Sequence, residues 1–418
     1  MKLNLKRTLL VGIAFMTISA FWQLYDYEIQ LILKNEFNFS DTLTGFVMSL
    51  DNILAVLLLP LFGSFSDKIM TKFGKRMPFI VIGTMITFVG MLVIPYSAQV
   101  KNLVIFLIAL GLVLLSMSIY RSPAVALMPD VTIKPLRSQG NAIINLMGAV
   151  GGVVALVLIS LLAPDKLKSY VPLFLTVGMF MVLGVVAMIA FVKEVQWAKE
   201  MEQQSQLLGI TEEEEQQYRQ GKMDSAVKRS LTSILISIAL WFMGYNAVIS
   251  AFSRYATLHI GLSQQQGSQI LILASVGAIL AFLPIGKLSA NIGRKRMINY
   301  GILILAFAFG TAFFYKGFHW LMFANFLLAG IGWAAINVNS LPMVLEMAKG
   351  NEVGKYTGLY YTFSMSAQIV TPILSGLLFD GFGYAILFPY ATFFVLLALV
   401  SMTQVKHGDT TVHKYIEE

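Results

Sequence analysis

Cysteine is absent from this 418-residue chain, which excludes disulfides, thiolate metal sites and cysteine nucleophiles. Histidine is nearly so. His259, His319, His407 and His413 fall in or beside predicted loops and tails, so neither a histidine proton relay through an apolar interior nor a buried metal site is expected. Charge is the third shortage, at 12% of residues against about 25% in soluble domains. In its place stand 57% hydrophobic residues and a mean hydropathy of +0.74. These shortages predict an all-α membrane protein with no enzymatic constellation and no cofactor.

Crossing ~30 Å of hydrocarbon takes about 20 mostly apolar residues. Such segments occur at 8–33, 44–66, 78–97, 102–128, 140–163, 170–192, 230–255, 267–288, 297–315, 320–345, 356–379 and 384–404. They predict twelve transmembrane helices in two six-helix, pseudo-symmetric bundles, 1–192 and 230–404. A polar linker, 193–229, joins them, and a tail, 405–418, follows. The linker run TEEEEQQYRQGK reads as a solvated amphipathic helix with Thr211 and Glu214 as a capping box. The first apolar segment lacks a small-x-small cleavage site and suits a retained span.

Loops that stay in the cytoplasm keep Lys and Arg. Placing both termini and the even-numbered loops on one side puts twenty-three of the thirty Lys and Arg there, with six opposite and Arg121 inside a helix. Both termini are therefore expected in the cytoplasm, in a cytoplasmic (inner) cell membrane, and the +8 net charge needs no nucleic-acid partner. The bilayer and a small solute are the expected partners, with the chain a monomer.

The halves repeat. GSFSDKIMTKFGKRMP from Gly63 and GKLSANIGRKRM from Gly286 each end a helix at Gly, turn, and give a second Gly before a basic cluster. This predicts a cytoplasmic gate of Gly63, Asp67, Lys68, Gly74, Lys75 and Arg76 in the first half, and Gly286, Gly293, Arg294 and Arg296 in the second. Glycines permit close approach and Asp67 can cap or pair with an Arg. YRSPAVALMPD matches INVNSLPMVLE, adding Asp130 and Glu346 to the gate, while FWQLYD of helix 1 matches WFMGYN of helix 7. Asp26 then faces Asn246, Arg121 faces Asn337, and Asp51 faces Ala274 or Ser275. At each place the first half is charged and the second neutral.

Ionisable groups inside membrane helices are costly and mark ion pathways by default. At 1.5 Å per residue, Asp51 lies ~24 Å from Asp67 and Arg121 ~14 Å from Asp130, so the two bracket mid-membrane. Asp51, Arg121, Asp26 and Glu28 are the candidate cation-coupling residues; for Glu28 the alternative is a side chain that simply reaches water. An aromatic face plus amides suits a neutral, hydroxyl-rich solute. Trp22, Tyr25, Asp26, Asn145, Trp241, Tyr245, Asn246, Trp333, Asn337 and Asn339 are the candidate substrate contacts.

The gate signature resembles that of the major facilitator superfamily, with four residues inserted before Gly74 and Ala290 in place of the second acid. More narrowly, PLFGSFSDKIMTKFGKRMPFI, ALMPD and NAIINLMGAVGGV resemble sucrose/proton symporters, near the glycoside-pentoside-hexuronide symporters. That resemblance implies uptake of a disaccharide or glycoside with a proton, by alternating access. Plant members carry a helix 4 Arg where Val125 stands here, one turn after Arg121. Sodium coupling stays open as an alternative, as do a proton-coupled exporter of drugs or metabolites and a non-transporting membrane sensor.

Overall fold

The computed structural model describes residues 3–133, 136–207, 224–347 and 353–409. Helix dominates these residues, and they contain no strand. Twelve long helices run in chain order: α1 Leu5–Asn35, α2 Asp41–Lys68, α3 Met77–Gln99, α4 Leu103–Asp130, α5 Arg137–Leu161 and α6 Val171–Phe191, then α7 Ser225–His259, α8 Gln264–Ile292, α9 Arg294–Ala312, α10 Leu321–Glu346, α11 Val353–Phe382 and α12 Leu387–Thr403. All but α9 are long and apolar enough to cross a membrane. The exception opens on Arg294, Lys295 and Arg296, the basic cluster predicted at a gate, and this start depresses its hydropathy. A further helix, Glu194–Leu207, opens the linker; Thr211 and Glu214 lie outside the described residues.

The helices start where their sequences supply caps. Asn102 accepts the Ile105 N–H at α4, Asp224 the Ala226 N–H at α7, and Ser263 forms a reciprocal capping box with Gln266 at α8. Two turns are π-helical: Tyr25–Ile29 within α1 and Tyr255–His259 at the end of α7. In the first, the Gln30 amide donates to the Asp26 carbonyl, giving that carbonyl a partner at the bulge.

The chain forms two compact units, residues 1–38 with 50–212 and residues 39–49 with 213–418. The first turns of α2, through Ser49, thus belong to the second unit, and the helix enters the first unit immediately before Asp51. Small residues set the packing inside each unit. A Cβ at Gly151 would overlap the Met16 carbonyl of α1, and one at Gly330 the Ala274 carbonyl of α8, so α1–α5 and α8–α10 cross with backbones in contact.

Candidate functional site

In the first unit the π-turn of α1 carries the intramembrane acids. Asp26 is half-buried and lies within Coulombic range of Asp51. Asp51 accepts a hydrogen bond from Asn52 Nδ2 at 2.8 Å and is in Coulombic range of Arg121. Both neighbours of Arg121 are pinned. Tyr120 OH and Thr17 Oγ1 of α1 are 2.5 Å apart, and Ser122 Oγ donates to the Leu59 carbonyl of α2 at 2.6 Å. The backbone at Arg121 is thereby tied to α1 on one side and α2 on the other. Tyr25 is buried within range of both acids, with Trp22 edge-on to it at 5.4 Å and the Trp22 indole N–H buried and unpartnered.

Glu28 stands apart. Two residues beyond Asp26 it points to the other side of the helix, ~200° around, and its electrostatic neighbours are Tyr27, Asp165 and Tyr170. Of the two readings open for Glu28, a side chain that simply reaches water does not hold: its exposure is 0% and neither carboxyl oxygen has a hydrogen-bond partner. The reason is Asp165 and Tyr170, from the segment between α5 and α6, which lie beside it. Asn145, on α5, is exposed, as is Val125, while Arg121 is half-buried.

The second unit brings together neutral groups. Tyr245 and Trp333 stack with ring centroids 3.6 Å apart and planes 2° from parallel, and Phe242 meets Trp333 edge-on at 5.2 Å. Asn246 follows Tyr245, its Nδ2 buried without a partner. Asn337, half-buried, is one turn beyond Trp333 on α10. Trp241 is fully buried, with its indole N–H unpartnered, and Asn339 is buried with its amide donating to the Ala335 carbonyl at 2.8 Å. The second unit thus sets a half-buried stacked ring pair next in sequence to an amide whose Nδ2 has no partner.

At the predicted gate the two halves repeat one contact. Arg76 Nε donates to Asp130 Oδ2 at 2.6 Å, Arg76 Nη2 to Asp67 Oδ1 at 2.5 Å, and Nη1 to Ser66 Oγ. Burial pulls the Arg76 pKa down, but the bonds and charges of Asp130 and Asp67 outweigh it and hold the pKa above its ordinary value. In the second half Arg294 Nη1 donates to Glu346 Oε2 at 3.2 Å. Each gate arginine therefore grips the acid that ends the fourth helix of its half. The four inserted residues of the first loop fold into a tight turn, with Thr71 N–H to the Gly74 carbonyl at 3.2 Å and Gly74 N–H to the Thr71 carbonyl at 3.1 Å. Gly74 and Gly293 both adopt left-handed φ, +111° and +95°. Gly63 and Gly286 face Ser122 and Val338, while Lys68 and Arg296 are exposed and Lys75 half-buried.

Two acids missed by the sequence reading bind the same two loops. Glu194, just after α6, accepts backbone N–H bonds from Lys75 (2.5 Å), Arg76 (2.9 Å) and Met77 (3.0 Å), capping α3 from a distance. Asp409, after α12, accepts from Lys295 N–H at 3.3 Å at the start of α9. A Cβ on Gly74 would overlap the Glu194 carboxylate, and one on Gly293 would lie 2.9 Å from Asp409 Oδ1. No local spacing marks either acid, since Glu194 is 119 residues from Lys75. Glu194→Gln is expected to lower stability by about 2 kcal/mol, and Gly74→Ala by at least as much because left-handed backbone and overlap add. Denaturant midpoints of the purified variants in mild detergent check both.

A further charged cluster lies in the second unit. Arg254, at 0% exposure, donates Nη1 to Asp41 Oδ1 at 2.6 Å, and Tyr384 OH donates to the same oxygen at 2.7 Å. Asp380 of α11 caps α2, accepting the Asp41 and Thr42 N–H groups at 2.8 Å each and the Thr42 hydroxyl at 2.5 Å. Close approach is built in: a Cβ at Gly45 would overlap the Pro372 carbonyl, and one at Gly376 the Asp41 carbonyl. The π-turn Tyr255–His259 prolongs α7 past Arg254, so this charge lies inside the helix and not at its end.

The family model of the Major Facilitator Superfamily matches residues 9–263 and 234–410. The chain belongs to the Major Facilitator Superfamily. It is a multi-pass membrane transporter. This facilitator is 27% identical over 156 residues to sucrose transport protein SUC3 of Arabidopsis thaliana, a match covering 33% of this chain and 26% of that protein. Its fold is similar to that of a proton dependent oligopeptide transporter (TM-score 0.70, 13% identity, 96% of this chain and 97% of that one). It is also similar to a bacterial homologue of the iron transporter ferroportin in an inward-facing state (TM-score 0.68, 15% identity, 97% and 99% covered).

Proposed function

We propose that this facilitator imports a neutral sugar, a disaccharide or glycoside, together with a proton, by alternating access. The observation that carries the reading is the division of labour between units. The first holds Asp51 within Coulombic range of both Asp26 and Arg121, and the second presents a stacked Tyr245–Trp333 pair beside the unpartnered Asn246 amide, apart from its buried Arg254–Asp41 pair. A carboxylate near an arginine has two stable arrangements: ionised against the guanidinium, or protonated with the guanidinium released to bond a hydroxyl. Proton uptake at Asp51 thereby makes Arg121 available to substrate. Tyr245, Trp333 and Asn246 supply ring stacking and amide bonds, which suit pyranose faces and hydroxyls. The likeness to a sucrose transporter, though it covers a third of the chain, points the same way. The gate residues and the N-terminal and C-terminal tails are assigned to the cytoplasmic side by their Lys and Arg excess.

Proteoliposomes given labelled sucrose, maltose and other glycosides under separate pH and sodium gradients test the proposal. Accumulation driven by an inward proton gradient is expected. Accumulation driven by sodium alone would overturn proton coupling, and drug efflux without sugar uptake would overturn the substrate class. Within this reading Trp333→Ala is expected to raise the half-saturating sugar concentration about tenfold, the equivalent of one stacking contact, with the maximal rate less affected; initial-rate uptake at graded sugar concentrations measures it.

A further inference from the structure

Two cavities flank the point where α6 meets the linker helix, both inside the first unit. One, of about 580 Å³, is a groove between α3 and α6 walled mainly by apolar side chains, with Lys72 and Lys193 among its lining residues. Phe73, Ile82 and Ile189 of its wall are exposed at 68%, 54% and 44%. The other, of about 400 Å³, is lined by Lys6, Arg7, Lys193 and Trp197, among others. Lys193 borders both.

The charges around this point are unequal. Of the acids beside the cavities, Glu194 spends its carboxylate on three backbone N–H groups of the α3 start. Glu200 is bound by Arg7 and by Gln196, and the Arg7 bond holds its carboxyl below the usual range. Lys6, Lys72 and Lys193 are left exposed. They lie at the ends of spans, Lys6 at the start of α1, Lys72 before Met77 and Lys193 after Phe191, where hydrocarbon gives way to head groups. An apolar groove running from such a level, with lysines at its mouth, matches one ligand: a chain of apolar methylenes ending in an anionic phosphate.

We propose that this groove is a binding site for an anionic glycerophospholipid, its phosphate held by Lys72 and Lys193 and an acyl chain lying against Phe73, Ile82 and Ile189. The site touches the gate directly. Glu194 lines the groove and caps the helix that begins at the gate arginine, so a lipid seated there braces the linker against the loop of Gly74 and Arg76. Anionic lipid then stabilises the capped gate, and its loss loosens it.

The test titrates the purified full-length protein in neutral detergent with phosphatidylglycerol, phosphatidylcholine of the same acyl chains, or inorganic phosphate, following the thermal unfolding midpoint. Phosphatidylglycerol is expected to raise the midpoint saturably and the other two to leave it unchanged. The double variant Lys72→Gln with Lys193→Gln, at exposed positions outside the gate contacts, should keep its lipid-free midpoint and need about thirty-fold more phosphatidylglycerol, as two surface lysines predict. Ile82→Trp, which fills the groove with both lysines intact, should weaken the response as well. Equal stabilisation by phosphatidylcholine or by inorganic phosphate would overturn the proposal, and so would a double variant or an Ile82→Trp variant that titrates like the parent.

Discussion

Asp51→Asn is expected to reduce sugar accumulation in proteoliposomes to equilibrium with the outside, while sugar exchange across the membrane continues. The substitution keeps the shape and the Asn52 contact but removes the charge that answers Arg121 and the proton that would replace it. If Asp51 is the coupling acid, the variant is locked in one of its two states: Arg121 is permanently free of a carboxylate at this position, so sugar binds and crosses without regard to the gradient. Uptake driven by a proton gradient and counterflow of labelled sugar separate these outcomes. Concentrative uptake by the variant would remove Asp51 from coupling. Loss of counterflow as well would place it in substrate binding or in folding. Asp26→Asn provides the comparison, because Asp26 lies within Coulombic range of Asp51 but belongs to α1, the helix that carries Trp22 and Tyr25. It is expected to impair binding and accumulation together.

The parts of this molecule legible from sequence are those whose cause is local. A run of apolar residues long enough for the bilayer marks a span wherever it occurs, and α9 blurs only because its gate cluster Arg294–Arg296 opens the helix. The gate glycines were legible for the same reason: a left-handed turn before a helix needs Gly at one place, and it recurs in both halves. The pairing of Arg76 with Asp130 and of Arg294 with Glu346 follows from that repeat. What was not legible depends on which distant segments meet. Glu194 and Asp409 carry no motif, and each acts only because the chain after the sixth or twelfth helix folds back over a helix start. The burial of Glu28 was not legible either, because helix periodicity shows which side of α1 it occupies but not that Asp165 and Tyr170 lie near that side.

Arg254→Met is expected to produce the largest loss of stability of any single change considered, about 3–5 kcal/mol, the range seen when one partner of a buried ion pair is removed. Arg254 has no exposed surface, and Asp41 is 6% exposed at its side chain, so neither charge can recover hydration once its partner is gone. Asp41→Asn should cost less than Arg254→Met, since the Asn oxygen can still accept from Tyr384 OH and the Asp380 carboxylate remains within Coulombic range of Arg254. Combining the two changes should cost less than the sum of the singles, because the second removes the charge that the first left stranded. Asp380→Asn separates capping from charge pairing: its carboxylate takes both first-turn N–H groups of α2, and its loss should cost about 1–2 kcal/mol. Denaturant midpoints of the four variants in mild detergent measure the series. If Arg254→Met is as stable as the parent, the cluster is a solvated surface pair and not the anchor that joins the start of α2 to α7 and α11. A double variant as costly as the sum would show that Asp41 and Arg254 act independently, each through its own packing.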